Sequence, residues 1–542
     1  MIVSLVSAFD RATIPPLRLY KMAFIVSKYI LVVVAQAGRD QLGRANRARR
    51  SLLVLRILTS YSSQKSGKRS MAVVTKLQLK RSLNSAGSYQ EWLDAAKAYD
   101  KYTKQDLWRR KDHSSQYDYV SIRTRLDRLR SLKSRHDTRG MLFTLNEGIH
   151  GNMGGMGRAG LYGRAKTGTK HLVEDYIDEI VHSLRYLAEE DSGDVSADEK
   201  LDFFRRANHC FGHSAFMMSG SGSLLFFHVG VVKALAESEL LPSVMSGSSG
   251  GAIVGSIVCS HTNEELPELL DPEYFLDRIP TTASTSGVAH VSELEESIAS
   301  FIPDITFEQA FARTGRAMNV SVAPAETHQT SRLLNATTSP SVMIRSAVMA
   351  SSAVPGIFPP VTLQALDSHG ERKSYLPSRK WVDGSVSDDM PAKRLARLYG
   401  VNHYIVSQTN PHVLPFVSDG HRKRTAIGLI ENAARRSARE WFNAMTLILD
   451  RADKRNGTVT QATSLMRSVI NQDYVGDINI LPDYKVINPL KLLTFPGEKQ
   501  MYKLISAGER CTWPKLEMIR QQTRISRTLR EVLQKFEDNP VV

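Results

Sequence analysis

At 542 residues the chain exceeds the ~250–300 residues that one hydrophobic core usually serves, so more than one structural unit is expected. Its 42% hydrophobic and 23% charged residues exclude an intrinsically disordered chain. Three widely separated cysteines, Cys210, Cys259 and Cys511, exclude a disulfide framework, show no metal-ligand spacing and point to a reducing compartment.

The net charge of +16 is unevenly placed, because residues 1–70 hold thirteen Lys and Arg against only Asp10 and Asp40. Such an arm suits an anionic membrane surface, an import receptor or nucleic acid, although no nucleic-acid recognition motif accompanies it. Its best apolar stretch, Ala23–Ala37, is interrupted by Lys28 and is shorter than the ~20 residues needed to span a bilayer. An interfacial or targeting segment is therefore expected, ending in the polar linker Tyr61–Ser70. From Glu91 to about Arg206 the pattern is helical, with Leu172, Tyr176, Ile180 and Leu184 on one face. The glycine-rich Gly148–Gly163 reads as a loop.

The alternation then changes. Ala215–Met218 reads as a buried strand, Ser219–Ser223 as a glycine-serine turn and Leu224–Glu237 as a helix. A second strand at Ser243–Ser246 is followed by a small-residue helix from Gly250 to about Ser260. This β-α-β-α unit predicts a parallel sheet, and hence an α/β fold. Further strands are expected at Val320–Val322, Lys380–Val382, His403–Ser407 and Ile478–Ile480, with an exposed, lid-like loop at Pro280–Gly287. Beyond Phe416 helices dominate. Ile427–Leu449 places Ile427, Ile430, Trp441 and Met445 on one stripe beside Arg435, Arg436 and Arg439, which suits either a headgroup boundary or a helix packed on its own domain.

Between the first two strands and their helices lie the residues with chemistry. Met245–Gly251 contains G-x-S-x-G, with Gly247, Ser249 and Gly251 in the fixed places. A nucleophile on a sharp strand-to-helix turn needs glycine neighbours so that strand and helix can approach, and the helix N-terminus favours nearby negative charge. A flexible Ser/Gly linker would lack the apolar strand before it and the apolar helix after it. Upstream, Gly220, Ser221 and Gly222 lack the lysine of a phosphate loop, and Leu225 stands where a dinucleotide fingerprint needs glycine. What remains is a nest of backbone amides suited to an oxyanion, or else a plain turn. A hydroxyl nucleophile needs a base, and Asp383-Gly384 follows a short strand ahead of Asp388 and Asp389. The chain order also allows a triad of Ser249, Asp383 and either His403 or His412, whereas His228 reads as a packed helix residue.

These motifs together resemble the patatin-like phospholipase family, over roughly Phe211–Pro415. His328–Asn335, Ser346–Pro360 and Asn402–His412 resemble its branch of triacylglycerol lipases, and residues 91–212 resemble the helical extension of that branch. The resemblance implies a patatin-like three-layer sandwich and a Ser249–Asp383 dyad without histidine. It also implies an oxyanion hole at Gly220, Ser221 and Gly222, and no cofactor or metal. The expected division is a basic extension (1–70), a helical domain (71–210), a catalytic domain (211–415) and a helical region (416–542).

The resemblance further implies a serine carboxylic-ester hydrolase that releases fatty acids from acylglycerols. A phospholipase or lysophospholipase is the near alternative, and a catalytically weakened lipid-surface protein the more distant one. Expected partners are the lipid substrate and the surface of a membrane or lipid droplet, bound peripherally inside the cell, with no nucleic acid. The departure from the pattern is Leu225, where the family usually carries glycine. His113–Asp118 also fits the acyltransferase spacing H-x-x-x-x-D, but two residues at a fixed interval recur by chance.

Overall fold

The computed structural model describes residues 66–149, 152–190, 193–278, 291–326, 329–355, 358–385, 389–409, 476–482 and 496–538. Residues 1–65, Pro280–Gly287, His328, Asp388, His412 and the stripe Ile427–Leu449 lie outside them. The chain divides into two compact units, 79–439 with 468–542, and 1–78 with 440–467. Of the second unit only the start of helix α1 (Ser66–Ser85) is described.

The N-terminal half is helical: α2 (Tyr89–Tyr102), α3 (Gln105–Arg110), α4 (Tyr119–Ser134), α5 (Thr138–Gly148), α6 (His171–Glu189) and α7 (Ala197–Phe211). Local chemistry sets several of their ends. Ser196 and Glu199 form a reciprocal capping box at the start of α7, and Asp118 and Asp137 cap α4 and α5. The stripe predicted on α6 is the buried one, with Leu172, Tyr176, Ile180 and Leu184 all within the core. The Gly148–Gly163 region is not a plain loop. It holds single helical turns at Met153–Gly155 and Ala159–Tyr162, whose side chains Leu161 and Tyr162 are buried.

A buried cation organises this half. The ammonium of Lys170 donates to the carbonyls of Trp108 (2.8 Å) and Lys111 (2.5 Å) and lies 4.3 Å from the centre of the Trp108 ring. Burial lowers its pKa, and the carbonyls and ring face replace the water it has lost. The H-x-x-x-x-D spacing belongs to this scaffold. His113 is exposed and offers its carbonyl to Lys170, and Asp118 is spent on its cap.

Beyond α7 runs the alternation β1 (His213–Met218), α8 (Leu225–Glu237), β2 (Val244–Gly247) and α9 (Gly250–Ser260). Next come α10 (Val291–Phe301), α11 (Phe307–Thr314), β3 (Ala317–Pro324), β4 (Arg332–Leu334) and α12 (Ile344–Ser352). The hairpin β5 (Gln364–Leu366) and β6 (Arg372–Ser374) precedes β7 (Trp381–Asp383), α13 (Ala392–Tyr399), β8 (Val401–Ser407), β9 (Ile478–Ile480) and α14 (Glu498–Asp538). The sheet order is β4-β3-β2-β1-β8-β9, parallel from β3 to β9, with β4 and β7 antiparallel to β3. This is the mostly parallel α/β sheet expected, with helices on both faces. All six predicted strands are present. β4, β5 and β6 were not predicted, since these short strands include exposed or polar positions and lack the apolar run that marked β7 and β9. Among the described residues no helix is long and apolar enough to cross a membrane.

Seven hydrophobic residues of α8 are buried, and the helix packs mainly against α14 and also against α9. The α8–α14 crossing is close because glycines stand on both helices. A Cβ on Gly230 would overlap the Ile505 carbonyl, and one on Gly508 would overlap that of Phe227. Gly508→Ala is expected to destabilise the chain by about 1–3 kcal/mol through overpacking, checked by chemical denaturation.

Candidate active site

The site forms where three strands end. At the end of β2, Ser249 holds φ 51° and ψ −125°, a strained conformation for a residue with a side chain, costing on the order of 1–3 kcal/mol. The two elbow glycines are explained sterically. A Cβ on Gly247 would strike the Gly251 carbonyl, and one on Gly251 would lie 2.5 Å from the Met218 carbonyl oxygen. The amide of Ser249 donates to Ser351 Oγ (3.0 Å), and Ser351 donates in turn to the Ser321 carbonyl (2.8 Å), so α12 and β3 hold the elbow from behind.

β3 delivers the carboxylate. It pairs with β2 only as far as Val320, opposite Gly247, and with β4 through Val322. Val322 also pairs with Asp383, so β7 must lie on the β2 side, continuing past the end of β2. Asp383 is therefore two residues, or about 7 Å, beyond the level of Gly247, where the Ser249 turn arrives. Gly384 permits this, since a Cβ there would strike the Ser321 carbonyl. The Ser249 hydroxyl lies close enough to the Asp383 carboxyl to favour its ionised form. Asp383 is 3% exposed, and burial pushes its pKa up to about 6, against the opposing pull of the hydrogen-bonded Ser385 amide and the nearby Ser249 hydroxyl. Ser249 itself remains half-exposed.

The glycine turn after β1 faces the elbow. Gly222 adopts φ 51°, and the backbone amides of Ser221 and Gly222 take no partner among the described residues. The Gly220 amide corrects the expected oxyanion set: it donates to Asp389 Oδ1 (2.8 Å) and is not available to a substrate. Gly220 instead anchors the turn. The same Asp389 oxygen accepts from Ser248 Oγ, so one buried carboxylate joins the oxyanion turn to the elbow. Asp389 was visible in the sequence only as half of an acid pair, and nothing in the spacing marked it as the clamp. The first amide of α9, Gly250 N–H, is a third donor without a partner among the described residues; its place directly after the elbow serine could have suggested it. Leu225 lies against this group, its Cβ 3.0 Å from where a Cβ on Gly250 would be, so leucine is accommodated because glycine faces it.

No histidine joins in among the described residues. His403 lies early on β8, paired with Ser214, about four residues back from the strand ends that form the site. Its ring bonds Ser214 Oγ (2.9 Å) and Gln522 Oε1 (2.9 Å). His228 is fully buried and has its pKa lowered to about 4 by desolvation. It donates from Nε2 to the Ser219 carbonyl (3.0 Å) and accepts at Nδ1 from Ser407 Oγ (2.7 Å), tying α8 to the ends of β1 and β8.

An α/β sheet with a strained serine elbow beside a buried aspartate, two amide turns next to it and, among the described residues, no histidine in reach is the architecture of a patatin domain. The chain matches the patatin-like phospholipase family over residues 216–396 and a domain of unknown function over 71–209. It is 32% identical to a patatin-like phospholipase domain-containing protein of Cryptococcus neoformans, over 84% of this chain and 54% of that one. It is 35% identical to triacylglycerol lipase 4 of Saccharomyces cerevisiae, over 80% of this chain and 50% of that one. A triacylglycerol lipase of Schizosaccharomyces pombe is 32% identical over 83% of this chain and 96% of its own length. The chain thus spans about half the length of the first two and nearly all of the third, and it belongs to the patatin-like phospholipase family.

Asp389→Ala leaves the Gly220 amide and the Ser248 hydroxyl buried without their acceptor. A loss of about 2–5 kcal/mol is expected by chemical denaturation, with Asp389→Asn, which keeps an acceptor oxygen, losing less.

Proposed function

We propose that this chain is a lipid acyl hydrolase that releases fatty acids from acylglycerols, with Ser249 as nucleophile and Asp383 as its base. The observation that carries the reading is the placement of the strained Ser249 elbow beside the buried Asp383 carboxyl, whose pKa burial raises to about 6. An ordinary aspartate near pH 4 is too weak a base for a hydroxyl; one near 6 is still ionised at neutral pH and accepts the proton more readily.

In this reaction the Ser249 oxygen attacks the acyl carbonyl while Asp383 takes its proton. The oxyanion is held by the amides of Ser221, Gly222 and Gly250, and removing one such donor costs about 2.7–4 kcal/mol in the barrier. Asp383 returns the proton to the departing glyceryl oxygen, leaving an acyl-enzyme. A water then attacks, again giving its proton to Asp383, and the fatty acid leaves as Ser249 is re-protonated.

Acylglycerols are favoured over other esters because relatives covering most of this chain are described as triacylglycerol lipases. Substrates of that kind are insoluble, so the reading includes an intracellular enzyme bound peripherally at a membrane or lipid-droplet surface. The basic extension (1–70) and the helical region (416–542) flank the helical (71–210) and catalytic (211–415) domains in this scheme.

Purified wild type and Ser249→Ala are to be compared on tri-, di- and monoacylglycerol and phospholipid emulsions. The expected result is fatty acid release from acylglycerols by wild type, with release by the variant lowered at least about 10³-fold. Release exclusively from phospholipid makes the chain a phospholipase. Undiminished release by Ser249→Ala removes the proposed mechanism, and failure of Ser249 to react with a fluorophosphonate leaves a lipid-binding protein.

The buried carboxyl also sets the pH behaviour. Hydrolysis is expected to rise with pH through an inflection near 6, where Asp383 ionises. Stability runs the opposite way. Asp383 ionises near 4 in the unfolded chain and near 6 in the folded one, so its contribution is lost as pH rises from about 4 to about 6. Asp383→Asn is therefore expected to abolish hydrolysis yet stabilise the fold by about 2–3 kcal/mol at pH 8, measured by denaturation.

A further inference from the structure

The edge of the sheet remote from β9 carries a groove that the site does not use. It encloses about 370 Å³ along β4, with α13 on one side and Tyr375 on the other. Three arginines line it, Arg332 from β4 with Arg394 and Arg397 one turn apart on α13, and no Asp or Glu lines it. Neither Arg332 nor Arg397 forms an ion pair among the described residues.

The groove presents donors. The Arg332 guanidinium lies over the Trp381 ring, 5.5 Å from its centre, a cation–π placement that holds the charge at the groove. Arg394 Nη2 donates to Ser331 Oγ (3.0 Å), which brings its guanidinium beside the start of β4. The carbonyl of Leu333 accepts from Thr338 Oγ1 (3.0 Å) instead of from β3. Since the N–H and C=O of one residue in an antiparallel strand point the same way, the Leu333 N–H also faces the groove. Planar guanidinium forks with a backbone N–H between them match the oxygens of a tetrahedral anion. Leu334 and Leu398 complete the lining with apolar surface that suits an amphiphile.

We propose that this groove is a binding site for a phosphate group, carried by a lipid headgroup or free in solution. Arg332 pairs with Val322, whose other neighbour is Asp383, so the groove begins about 10 Å from Asp383 across two strand spacings. The site stands independently of the hydrolase assignment, because none of its residues belongs to the elbow, the dyad or the oxyanion turn.

The test uses the full chain and two probes. Inorganic phosphate, against chloride at equal ionic strength, is read by the unfolding midpoint. Phosphatidylcholine vesicles with and without phosphatidic acid are read by co-flotation. The variant carries Arg394→Gln with Arg397→Gln, and Arg397→Gln alone, at an exposed position, gives the same reading with a smaller loss. Binding of at least one probe is expected to weaken about tenfold or more in the double variant, with fluorophosphonate labelling of Ser249 unchanged. Loss of the phosphate response alone assigns free phosphate, and loss of phosphatidic acid binding alone assigns a lipid headgroup. If the double variant binds both probes as wild type does, or wild type binds neither, the proposal is overturned. The arginines then serve only to keep the sheet edge from pairing.

Discussion

Everything at the centre of this molecule depends on holding Ser249 at a positive φ. A serine does not adopt that conformation by preference, and its strain persists only because neighbouring structure over-determines it. The surrounding parts can be assigned by what they contribute to that restraint. Gly247 and Gly251 let strand and helix close to backbone contact, Ser351 takes the strained residue's own amide, and Asp389 fixes the residue before it. The result is a hydroxyl that is half-exposed yet aimed at a buried carboxyl.

Asp383 is brought to that hydroxyl by an irregularity of the sheet. A fully parallel arrangement would put β7 elsewhere, but β3 outruns β2, and the antiparallel β7 occupies the space left over. The carboxyl is thereby buried by the sheet itself. The same burial that makes it basic also makes it a burden on the fold at neutral pH, so reactivity and stability oppose each other at one residue.

Much of this was legible in the sequence, for identifiable reasons. The strand preceding Ser249 and the helix following it are built of apolar and small residues, and the small residues between them have little other use, so the elbow was readable from local pattern. The strands paired in the sheet centre were readable for the same reason. Asp383 needed the family resemblance, because Asp-Gly alone is an ordinary turn, and its partner is 134 residues away in the chain. Asp389 and Ser351 were not readable, since each acts through a contact made only after folding. Gly220 was misassigned because glycine at a turn signals conformation but not the direction of its amide. His403 fitted the chain order of a triad, but register on β8 places it well behind the strand ends, and chain order carries no register.

The α8–α14 crossing bears on how the protein is made. α8 is the first helix of the catalytic alternation and begins at residue 225, but the helix that covers its outer face is the last described element, completed at residue 538. At ribosomal rates of about 5–20 residues per second, roughly 15–60 seconds of synthesis separate the two. Throughout that interval the nascent chain shows an uncovered apolar helix, whose Gly230 is shaped for the close approach of α14. Newly made molecules are thus a natural clientele for chaperones until α14 has been made, and a product truncated before residue 500 would keep that face bare.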